Sequence, residues 1–365
     1  MNPALLHRVN YLQQLFRSAQ VAIVGGYHFG NLGDIALGRS IQEFLEQKDI
    51  SSDLQTIYNL KKWPKRDYAI IGGGAIGYKT CLNEIIKQYP YKFSKIAFFG
   101  VDFNEEKYSL EIIEMLQKAA FISTRSKLQA ENLSFITNRN DIVNFPDLSF
   151  SYRIPAFELA RNKTINDSIG KSRLIINILP LYGKIINSKV QPIDQYRKER
   201  PDVYANFDLI QANYLRLIHL KVEEALDLHM EVLSVPFTPL DRLYSQIVLN
   251  NKYVTHLNYN SNPSFIQKLF RKNDLVICTR LHATIFALRA GSKILPIAYA
   301  KKNEELLKEL TWNENEFYTI KDLIDIDNYN KLYRNTDEFI ISNFEKLSLE
   351  GLNIGFQNLH INDLN

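Results

Sequence analysis

Apolar and polar positions along the chain follow a pattern typical of strands separated by helices. Short apolar runs rich in β-branched and aromatic residues predict the strands. Between them, apolar residues recur at helical spacing, and after the first run these are Ile35, Leu37, Ile41, Phe44 and Leu45. The predicted strands are 21–26, 54–58, 68–74, 95–100, 121–124, 141–145, 173–179, 230–237, 253–257, 274–279 and 293–300.

Strands that alternate with helices form parallel βαβ units, so the pattern predicts an α/β fold with doubly wound, Rossmann-like domains. The rhythm stops between 151 and 171, and we place a domain junction there. We expect an N-terminal Rossmann-like domain over 1–160, a C-terminal one over 170–310 and an acidic helical C-terminal extension over 311–365. Ligands of such folds bind at the carboxyl ends of the strands.

The composition, with 45% hydrophobic and 23% charged residues, is that of a globular protein and excludes fibrous or largely disordered classes. No apolar stretch reaches 18 residues, which predicts no membrane-spanning helix. Two cysteines outside any Cys-x-x-Cys pair favour a reducing, cytoplasmic location and predict no zinc site. Residues 5–16 have helical apolar spacing, either for packing on the first domain or for touching a membrane surface.

The formal net charge of +4 conceals an uneven distribution. Residues 303–365 carry 5 Lys or Arg and 13 Asp or Glu, so the remaining 302 residues carry 39 and 27, a balance of +12. A basic body suits acidic small molecules, phosphates or anionic lipid head groups. Because the chain has no Lys/Arg-rich tract and no DNA-reading motif, we expect no nucleic-acid partner.

The first candidate site is a glycine-rich loop after the first predicted strand, GGYHFGNLGD over 25–34. Glycines let the backbone approach a ligand, and the start of the following helix offers N–H groups to an anion. Asn31 stands where a P-loop would have its Lys, so the loop fits no known phosphate pattern. Asp34 is either a carboxylate that faces the ligand or the helix N-cap, and Asn31 is either a ligand contact or a turn residue.

The second candidate is GGGAIG over 72–77, which also follows a predicted strand. It has G-x-G-x-x-G spacing, but it follows the third strand rather than the first, and no acidic residue stands about 20 positions beyond it. We therefore expect Gly73 and Gly74 to form a platform under a ligand rather than a dinucleotide site.

Arg280 and His282 form the third candidate, because they directly follow the apolar strand at 274–279. An Arg fork binds carboxylate or phosphate by paired hydrogen bonds, and a His beside it can transfer a proton near neutral pH. The alternative is an Arg paired with a carboxylate at the domain interface and a His that caps the next helix.

Three further polar residues follow predicted strands. Lys301 is placed to reach a phosphate or is simply solvated, Arg125 contacts a ligand or pairs locally, and Asp241 serves as a helix N-cap. No His cluster has metal-ligand spacing, and no Ser or Cys nucleophile motif is present, so we expect no metal site.

Together, these segments resemble those of the polysaccharide pyruvyl transferase family. The similarity extends in order over about residues 20–302. The segments that carry it are VAIVGGYHFGNLGDIAL, YAIIGGGAIGY, ISTRSKLQAENL, NFPDLSF, VPFTPLD and ICTRLHATIFALRAGSKILPIAYAKK. The stretch at 180–206 and the acidic C-terminal extension match nothing in the family pattern.

The resemblance implies a GT-B-like pair of Rossmann-like domains that face a cleft. It implies transfer of pyruvate from phosphoenolpyruvate to two sugar hydroxyls as a cyclic ketal, in capsule, exopolysaccharide or cell-wall polymer synthesis. No cofactor is implied. The partners would be phosphoenolpyruvate and a sugar or lipid-linked oligosaccharide, the latter with peripheral contact at the inner membrane face.

The resemblance also implies roles for particular residues. Arg280 would bind the anionic donor, His282 would act as acid or base, and Asp34 would face the acceptor or serve as base for a sugar hydroxyl. The implied substrate-binding residues are Gly30, Asn31, Gly33, Gly73, Gly74, Arg125, Leu281 and Lys301. Two alternatives stay open: a GT-B glycosyltransferase that uses a nucleotide sugar, and a non-catalytic polysaccharide-assembly protein.

Overall fold

The computed structural model describes residues 18–27, 30–103, 107–152, 172–272, 274–325 and 329–361. Contacts divide the chain into two compact units, one of Met1–Arg153 with Ser342–Asn365 and one of Ile154–Ile341. The residues predicted as a C-terminal extension are therefore shared between the two units and form no unit of their own. The helix predicted at 5–16 lies outside the described residues.

The first unit is built on a parallel sheet. Its strands are β1 (Val21–Gly25), β2 (Ser52–Thr56), β3 (Tyr68–Gly74), β4 (Ile96–Val101), β5 (Phe121–Thr124) and β6 (Val143–Asn144). Its helices are α1 (Leu32–Glu46), α2 (Lys79–Gln88), α3 (Leu110–Lys118) and α4 (Lys127–Thr137). The central strands are buried along their whole length, as expected of a parallel sheet covered on both faces.

The strands of this sheet, as far as the structure describes them, run in the order β2-β1-β3-β4-β5-β6. The direction of winding reverses between β1 and β3, which are paired in register from Val21 beside Tyr68. In doubly wound sheets, ligands bind outside the carboxyl ends of the strands at such a reversal. The carboxyl ends of β1 and β3 are therefore a candidate ligand-binding site.

The second unit contains another parallel sheet and a hairpin. Its strands are β7 (Arg173–Asn177), β8 (Gly183–Ile186), β9 (Lys189–Pro192), β10 (Glu231–Ser234), β11 (Val254–His256), β12 (Leu275–Cys278), β13 (Lys293–Ala298) and β14 (Tyr318–Thr319). Its helices are α5 (Tyr196–Glu199), α6 (Pro201–Ala205), α7 (Phe207–Asp227), α8 (Pro239–Val248), α9 (Pro263–Gln267), α10 (Leu281–Arg289), α11 (Lys301–Glu309) and α12 (Ile320–Ile324).

The described strands of the second sheet run in the order β11-β10-β7-β12-β13-β14, the strand order of a Rossmann fold. Winding reverses between β7 and β12, so the carboxyl ends of these two strands form the second switch point. Strands β8 and β9 pair only with each other, as an antiparallel hairpin in the Tyr-rich stretch where no strand was predicted. Strand β14 was also missed, because its two residues lie inside a segment with helical composition.

The last helix, α13 (Glu338–Asn358), connects the two units in sequence. Its residues Leu352 and Phe356 are buried in a core of the first unit that also contains Phe44 and Phe99. The ring of Phe356 meets that of Phe44 edge-on, with centroids 5.9 Å apart. Apolar contact with the first sheet therefore explains why the chain returns to the first unit.

Candidate functional site

The residues predicted to carry chemistry follow the carboxyl ends of strands, and the main candidates do so at the two switch points. Asn31 and Asp34 follow β1, and Gly73 and Gly74 end β3. Arg280 follows β12 in the second sheet, beside Asn177 at the end of β7.

Asn31, rather than Asp34, is the N-cap of α1. Its side-chain oxygen accepts a hydrogen bond from the backbone N–H of Gly33 at 3.1 Å, and its Nδ2 donates to Asp34 Oδ2 at 2.8 Å. Gly30, just before the cap, has φ of +72°, a backbone conformation that favours glycine. The predicted alternative of Asp34 as N-cap is therefore wrong, and its carboxylate lies in the first helical turn.

The Asp34 carboxylate lies at the carboxyl ends of both β1 and β3. A Cβ atom built on Gly26 would be 3.3 Å from Asp34 Oδ2, and one built on Gly74 would be 3.5 Å from Asp34 Oδ1. Burial, and then the charge of Asp34, raise the pKa of Tyr27, which donates a 2.6 Å hydrogen bond to Gly72 O. The structure thus brings together the loop and the glycine segment that the sequence predicted as separate candidates.

The glycines at the end of β3 make room for the protein's own side chains. A Cβ on Gly73 would lie 2.6 Å from Leu37 of α1, and one on Gly72 would clash with Ile41 and lie 2.8 Å from the Tyr27 hydroxyl. Their missing side chains therefore permit close packing of α1 on β3, whereas we had expected a platform under a ligand. Substrate binding through the backbone of Gly73 or Gly74 stays a prediction.

Arg125, after β5, pairs locally with two carboxylates. Its Nε donates to Asp102 Oδ1 at 2.9 Å, its Nη2 also bonds Asp102, and its Nη1 donates to Asp147 Oδ2 at 2.6 Å. Burial lowers the pKa of the Arg125 guanidinium, but the charges of Asp102 and Asp147 outweigh burial and raise it. The geometry therefore favours the local-pairing alternative over a substrate contact.

Arg280 is the N-cap residue of α10, and its guanidinium forms a bidentate pair with Asp241. Nε donates to Asp241 Oδ2 and Nη2 donates to Asp241 Oδ1, both at 2.6 Å. Two parallel charge-assisted bonds fix the plane of a guanidinium as well as its position. The predicted alternative of an Arg paired with a carboxylate is therefore realised, with a carboxylate of the same unit.

Asp241 is held independently of Arg280 by the start of α8. The backbone N–H groups of Phe237 and Thr238 each donate to Asp241 Oδ2 at 3.0 Å, and Thr238 Oγ1 donates to Oδ1 at 2.8 Å. Thr238 is the N-cap and Asp241 completes the capping box. The predicted N-cap role of Asp241 is therefore wrong, because the N-cap residue lies three positions earlier. The Asp241 carboxylate also has a second partner, Arg280, that the sequence did not indicate.

The backbone of Arg280 is also fixed. Its N–H donates to Asn177 Oδ1 at 3.1 Å, and Asn177 Nδ2 donates to Val235 O at 3.0 Å. One residue earlier, Thr279 Oγ1 lies 2.9 Å from the buried hydroxyl of Tyr214. Side chains from β7 and α7 therefore hold the strand end that carries Arg280.

His282 and Leu281 occupy the first turn of α10 and are buried, with 7% and 6% exposure. The N-cap position belongs to Arg280, so the alternative of His282 as the helix cap is wrong. His282 instead lies two residues after Arg280, the N-cap residue of α10, whose backbone and side chain are both held by hydrogen bonds. An imidazole held there could transfer a proton to an anion bound by Arg280.

Lys301 is the first residue of α11, and its side chain is 76% exposed and 3.5 Å from Glu305. Such an exposed pair contributes little to stability, so Lys301 is available to an anion but is not oriented towards one. Asn303, two residues later, is buried and donates to Thr279 O at 3.1 Å. This bond joins α11 to the strand end that bears Arg280.

Sequence reasoning missed Asn177, Thr238 and Tyr259, although Asn177 ends β7 and the other two follow β10 and β11 of the same sheet. The Tyr259 hydroxyl is buried with no hydrogen-bond partner among the described residues. Burial, and then Asp241, raise the pKa of Tyr259 to about 12. A polar residue after a strand was the available signal, but these residues belong to no motif that singles them out.

No described helix combines the length and apolar character needed to cross a bilayer. Within the described ranges, no three His, Cys, Asp or Glu side chains come together in an arrangement that could hold a metal ion.

One of three comparisons with known proteins identifies the family. The family model for polysaccharide pyruvyl transferase matches residues 31–301. No curated protein matches the chain. Among solved structures, UDP-GlcNAc 2-epimerase from Neisseria meningitidis, bound to UDP-GlcNAc, aligns with a TM-score of 0.52 at 10% identity, over 92% of this chain and 99% of that one. A putative UDP-N-acetylglucosamine 2-epimerase from Listeria monocytogenes aligns with a TM-score of 0.42 at 13% identity, over 89% and 94%.

Since the family model covers more than half of the chain, this protein belongs to the polysaccharide pyruvyl transferase family. The predicted fold class, α/β with two Rossmann-like parallel sheets of the GT-B type, is confirmed. At this low identity the likeness to the Neisseria structure shows the fold alone. A cleft between the two domains and the roles of individual site residues stay predictions.

Proposed function

We propose that this protein transfers pyruvate from phosphoenolpyruvate to two hydroxyls of one sugar, which yields a cyclic ketal and inorganic phosphate. The observation that carries the proposal is the guanidinium of Arg280, oriented by Asp241 at the second switch point, two residues before the buried His282. An oriented guanidinium suits carboxylates and phosphates, and phosphoenolpyruvate carries one of each. Family membership supports the same reaction class.

The proposed reaction balances without a further reactant. C3 of phosphoenolpyruvate gains a proton, which makes C2 electrophilic, and one sugar oxygen bonds to C2. The bond between C2 and the phosphate oxygen breaks, and the second sugar oxygen bonds to C2 in its place. The two sugar hydroxyls lose two protons in total. The methyl group formed at C3 gains one proton, and the released phosphate gains the other. We propose that the reaction uses no organic cofactor and no metal.

In this proposal, Arg280 binds the donor anion and His282 carries the proton to C3 or to the departing phosphate. Leu281 directly follows Arg280, and Lys301 lies at the start of α11, after the neighbouring strand β13. Asp34 faces the acceptor and accepts a proton from one sugar hydroxyl, supported by Asn31, whose amide holds its carboxylate. Gly30 and Gly33 shape the turn that brings these two side chains to the switch point of the first sheet.

The product ketal carries a carboxylate, so the reaction adds negative charge to the sugar. We propose a role in capsule, exopolysaccharide or cell-wall polymer synthesis, with the protein in the cytoplasm. A lipid-linked oligosaccharide acceptor would place the reaction at the inner membrane face.

The test is phosphate release from phosphoenolpyruvate by the purified protein in the presence of a panel of oligosaccharides, with mass spectrometry of the sugar product. We expect phosphate release and a pyruvylated sugar in equal amounts. Thermal stabilisation by a nucleotide sugar, without phosphate release, would favour a glycosyltransferase. Neither response would favour a non-catalytic assembly protein.

A further inference from the structure

Two exposed tyrosines flank Asp34 at the switch point of the first sheet. Tyr58 lies in the 3₁₀ turn that follows β2, and its side chain is 56% exposed. Tyr78 is the N-cap residue of α2, four residues after the end of β3, and is 42% exposed. Single exposed aromatic rings are common on protein surfaces, so the informative feature of these two is their position beside a carboxylate.

The two rings and the carboxylate come from three adjacent strand ends, because β1 lies between β2 and β3 in the sheet. Neighbouring strands are about 4.8 Å apart, so β2 and β3 are separated by roughly 10 Å. That distance accommodates one six-membered sugar ring. Tyr58 thus follows β2 and Tyr78 follows β3, the two strands that neighbour β1, whose loop carries Asp34.

Contacts around Gly26 show how closely Tyr58 approaches the carboxylate. A Cβ atom on Gly26 would lie 3.3 Å from Asp34 Oδ2 and 3.9 Å from the Tyr58 hydroxyl. Both polar atoms therefore lie within 4 Å of the same position. Helix α2 packs against the 57–62 turn, which brings the Tyr78 end of α2 to the same edge. Burial, then Cys81, Asp34 and Tyr78, raise the pKa of Tyr58, as expected if these groups are close.

We propose that Tyr58, Tyr78 and Asp34 form a binding site for one pyranose ring of an uncharged sugar. This inference rests on the function proposed above, in which a sugar is the acceptor. A tyrosine ring offers a flat apolar face to the C–H face of a pyranose, at little cost in side-chain entropy. An ionised carboxylate only accepts hydrogen bonds, and therefore suits sugar hydroxyls.

The negative charge of Asp34 also affects which of the two substrates can bind beside the two tyrosines. A carboxylate beside two phenols repels an anion such as phosphoenolpyruvate, since like charges brought together are costly. The guanidinium at the second switch point has the opposite preference. The carboxylate of Asp34 therefore favours an uncharged sugar over an anion at this edge of the first unit.

The experiment measures binding of the full chain to an array of immobilised neutral oligosaccharides, with phosphate release assayed on every glycan that binds. The variants are Tyr58→Ala, Tyr78→Ala, and Phe at each of the two positions. Tyr91→Ala is the matched control, because Tyr91 is 97% exposed and precedes β4, at the opposite edge of the same sheet. Melting temperatures verify that each variant is folded, and calorimetry measures the affinity for phosphoenolpyruvate.

We expect each Ala variant to raise the glycan dissociation constant about tenfold, the loss of roughly 1.4 kcal/mol of binding. The Phe variants should stay within about threefold of wild type, because they keep the stacking face. Tyr91→Ala, and the phosphoenolpyruvate affinity of every variant, should be unchanged.

Glycan affinity within twofold of wild type in both Ala variants would overturn the site while leaving the proposed reaction intact. Glycan binding that depends on the tyrosines, without phosphate release, would support the site and contradict the reaction. A wild-type protein that binds no neutral glycan would overturn the site, whereas the reaction is judged by phosphate release with the full panel of oligosaccharides.

Discussion

Arg280 and Asp241 meet edge to edge, with Nε and Nη2 each 2.6 Å from a carboxylate oxygen. The two residues are 39 positions apart and follow different strands, so the pair ties the start of α8 to the start of α10. Because Asp241 is also bound to two backbone N–H groups, its own position does not depend on Arg280. The orientation of the guanidinium is therefore set by the backbone of residues 237–238, just before α8.

Replacing Arg280 by Lys should weaken donor binding, since Lys keeps the charge but loses the planar fork. One lost charge-assisted hydrogen bond is worth roughly 1.5–3 kcal/mol, so the dissociation constant for phosphoenolpyruvate should rise about ten- to a hundredfold by calorimetry.

The matched control for this change is Arg173→Lys. Arg173 forms the same kind of bidentate pair with Asp274, but at the amino ends of β7 and β12, the opposite edge of the same sheet. Arg173→Lys should lower the melting temperature and leave donor affinity unchanged. Equal affinity for phosphoenolpyruvate in Arg280→Lys and wild type would remove Arg280 from the donor site.

Replacing His282 by Gln separates proton transfer from packing. Gln keeps hydrogen-bonding ability and approximate shape but cannot carry the proton, and general acid–base groups typically contribute about 10²–10⁴-fold. We expect turnover to fall by that order while donor affinity is retained. A His282→Gln protein with a lowered melting temperature and near wild-type turnover per folded molecule would show that His282 only packs.

Asp34→Asn and Asn31→Ala test the first switch point together. Asn31→Ala removes the cap of α1 and should cost about 1 kcal/mol of stability. Asp34→Asn leaves that cap in place and should lose at most about 1 kcal/mol of helix-dipole interaction, yet it should reduce turnover strongly if the carboxylate serves the acceptor. Turnover and chemical denaturation of both variants give the answer, and normal turnover in Asp34→Asn contradicts the acceptor role.

Gly73→Ala tests whether this glycine serves packing. The new methyl group would crowd Leu37, and overpacking typically costs roughly 1–3 kcal/mol. We expect lower stability with turnover per folded molecule preserved. Gly291→Ala is the control, because Gly291 also has positive φ but faces the flexible side chain of Lys272 at 3.4 Å. A loss of turnover in Gly73→Ala larger than its loss of folded protein would restore the predicted ligand platform.

Donor affinity should also decrease with salt. If the excess of positive charge outside 303–365 attracts the phosphoenolpyruvate anion, screening over about 8 Å at physiological ionic strength should weaken association. Calorimetric titrations at low and high sodium chloride measure the effect. A flat salt dependence would show that the overall charge balance does not contribute to donor capture.

The sequence predicted which segments form strands, because buried parallel strands are short continuous apolar runs, and Arg280 and His282 were placed correctly after one of them. It could not predict the partner of Arg280. Asp241 appears in the sequence only as a residue of a helix start, and its second role depends on which strands become neighbours. Pairing across 39 residues is a property of the sheet order, which apolar periodicity does not specify.

The glycine segments show a similar limit. Glycines after a strand are compatible with a ligand or with close internal packing, and the sequence alone does not distinguish them. The structure does so at Gly72 and Gly73, where side chains of α1 and Tyr27 occupy the space. The hairpin of β8 and β9 was missed for another reason, since its strands are half exposed and lack a continuous apolar run.

The return of α13 to the first sheet has a consequence for biosynthesis. Leu352, Phe356 and Leu359 cover apolar residues of the first unit, and Gly355 permits α13 to lie directly against the ring of Phe99. A ribosome delivers these residues after the whole of 154–341 has been made. The second unit can thus complete its core before the first does, although the first is begun earlier. Until α13 arrives, the nascent chain must keep an uncovered apolar patch from aggregating, and this is the stage at which chaperones would be needed most.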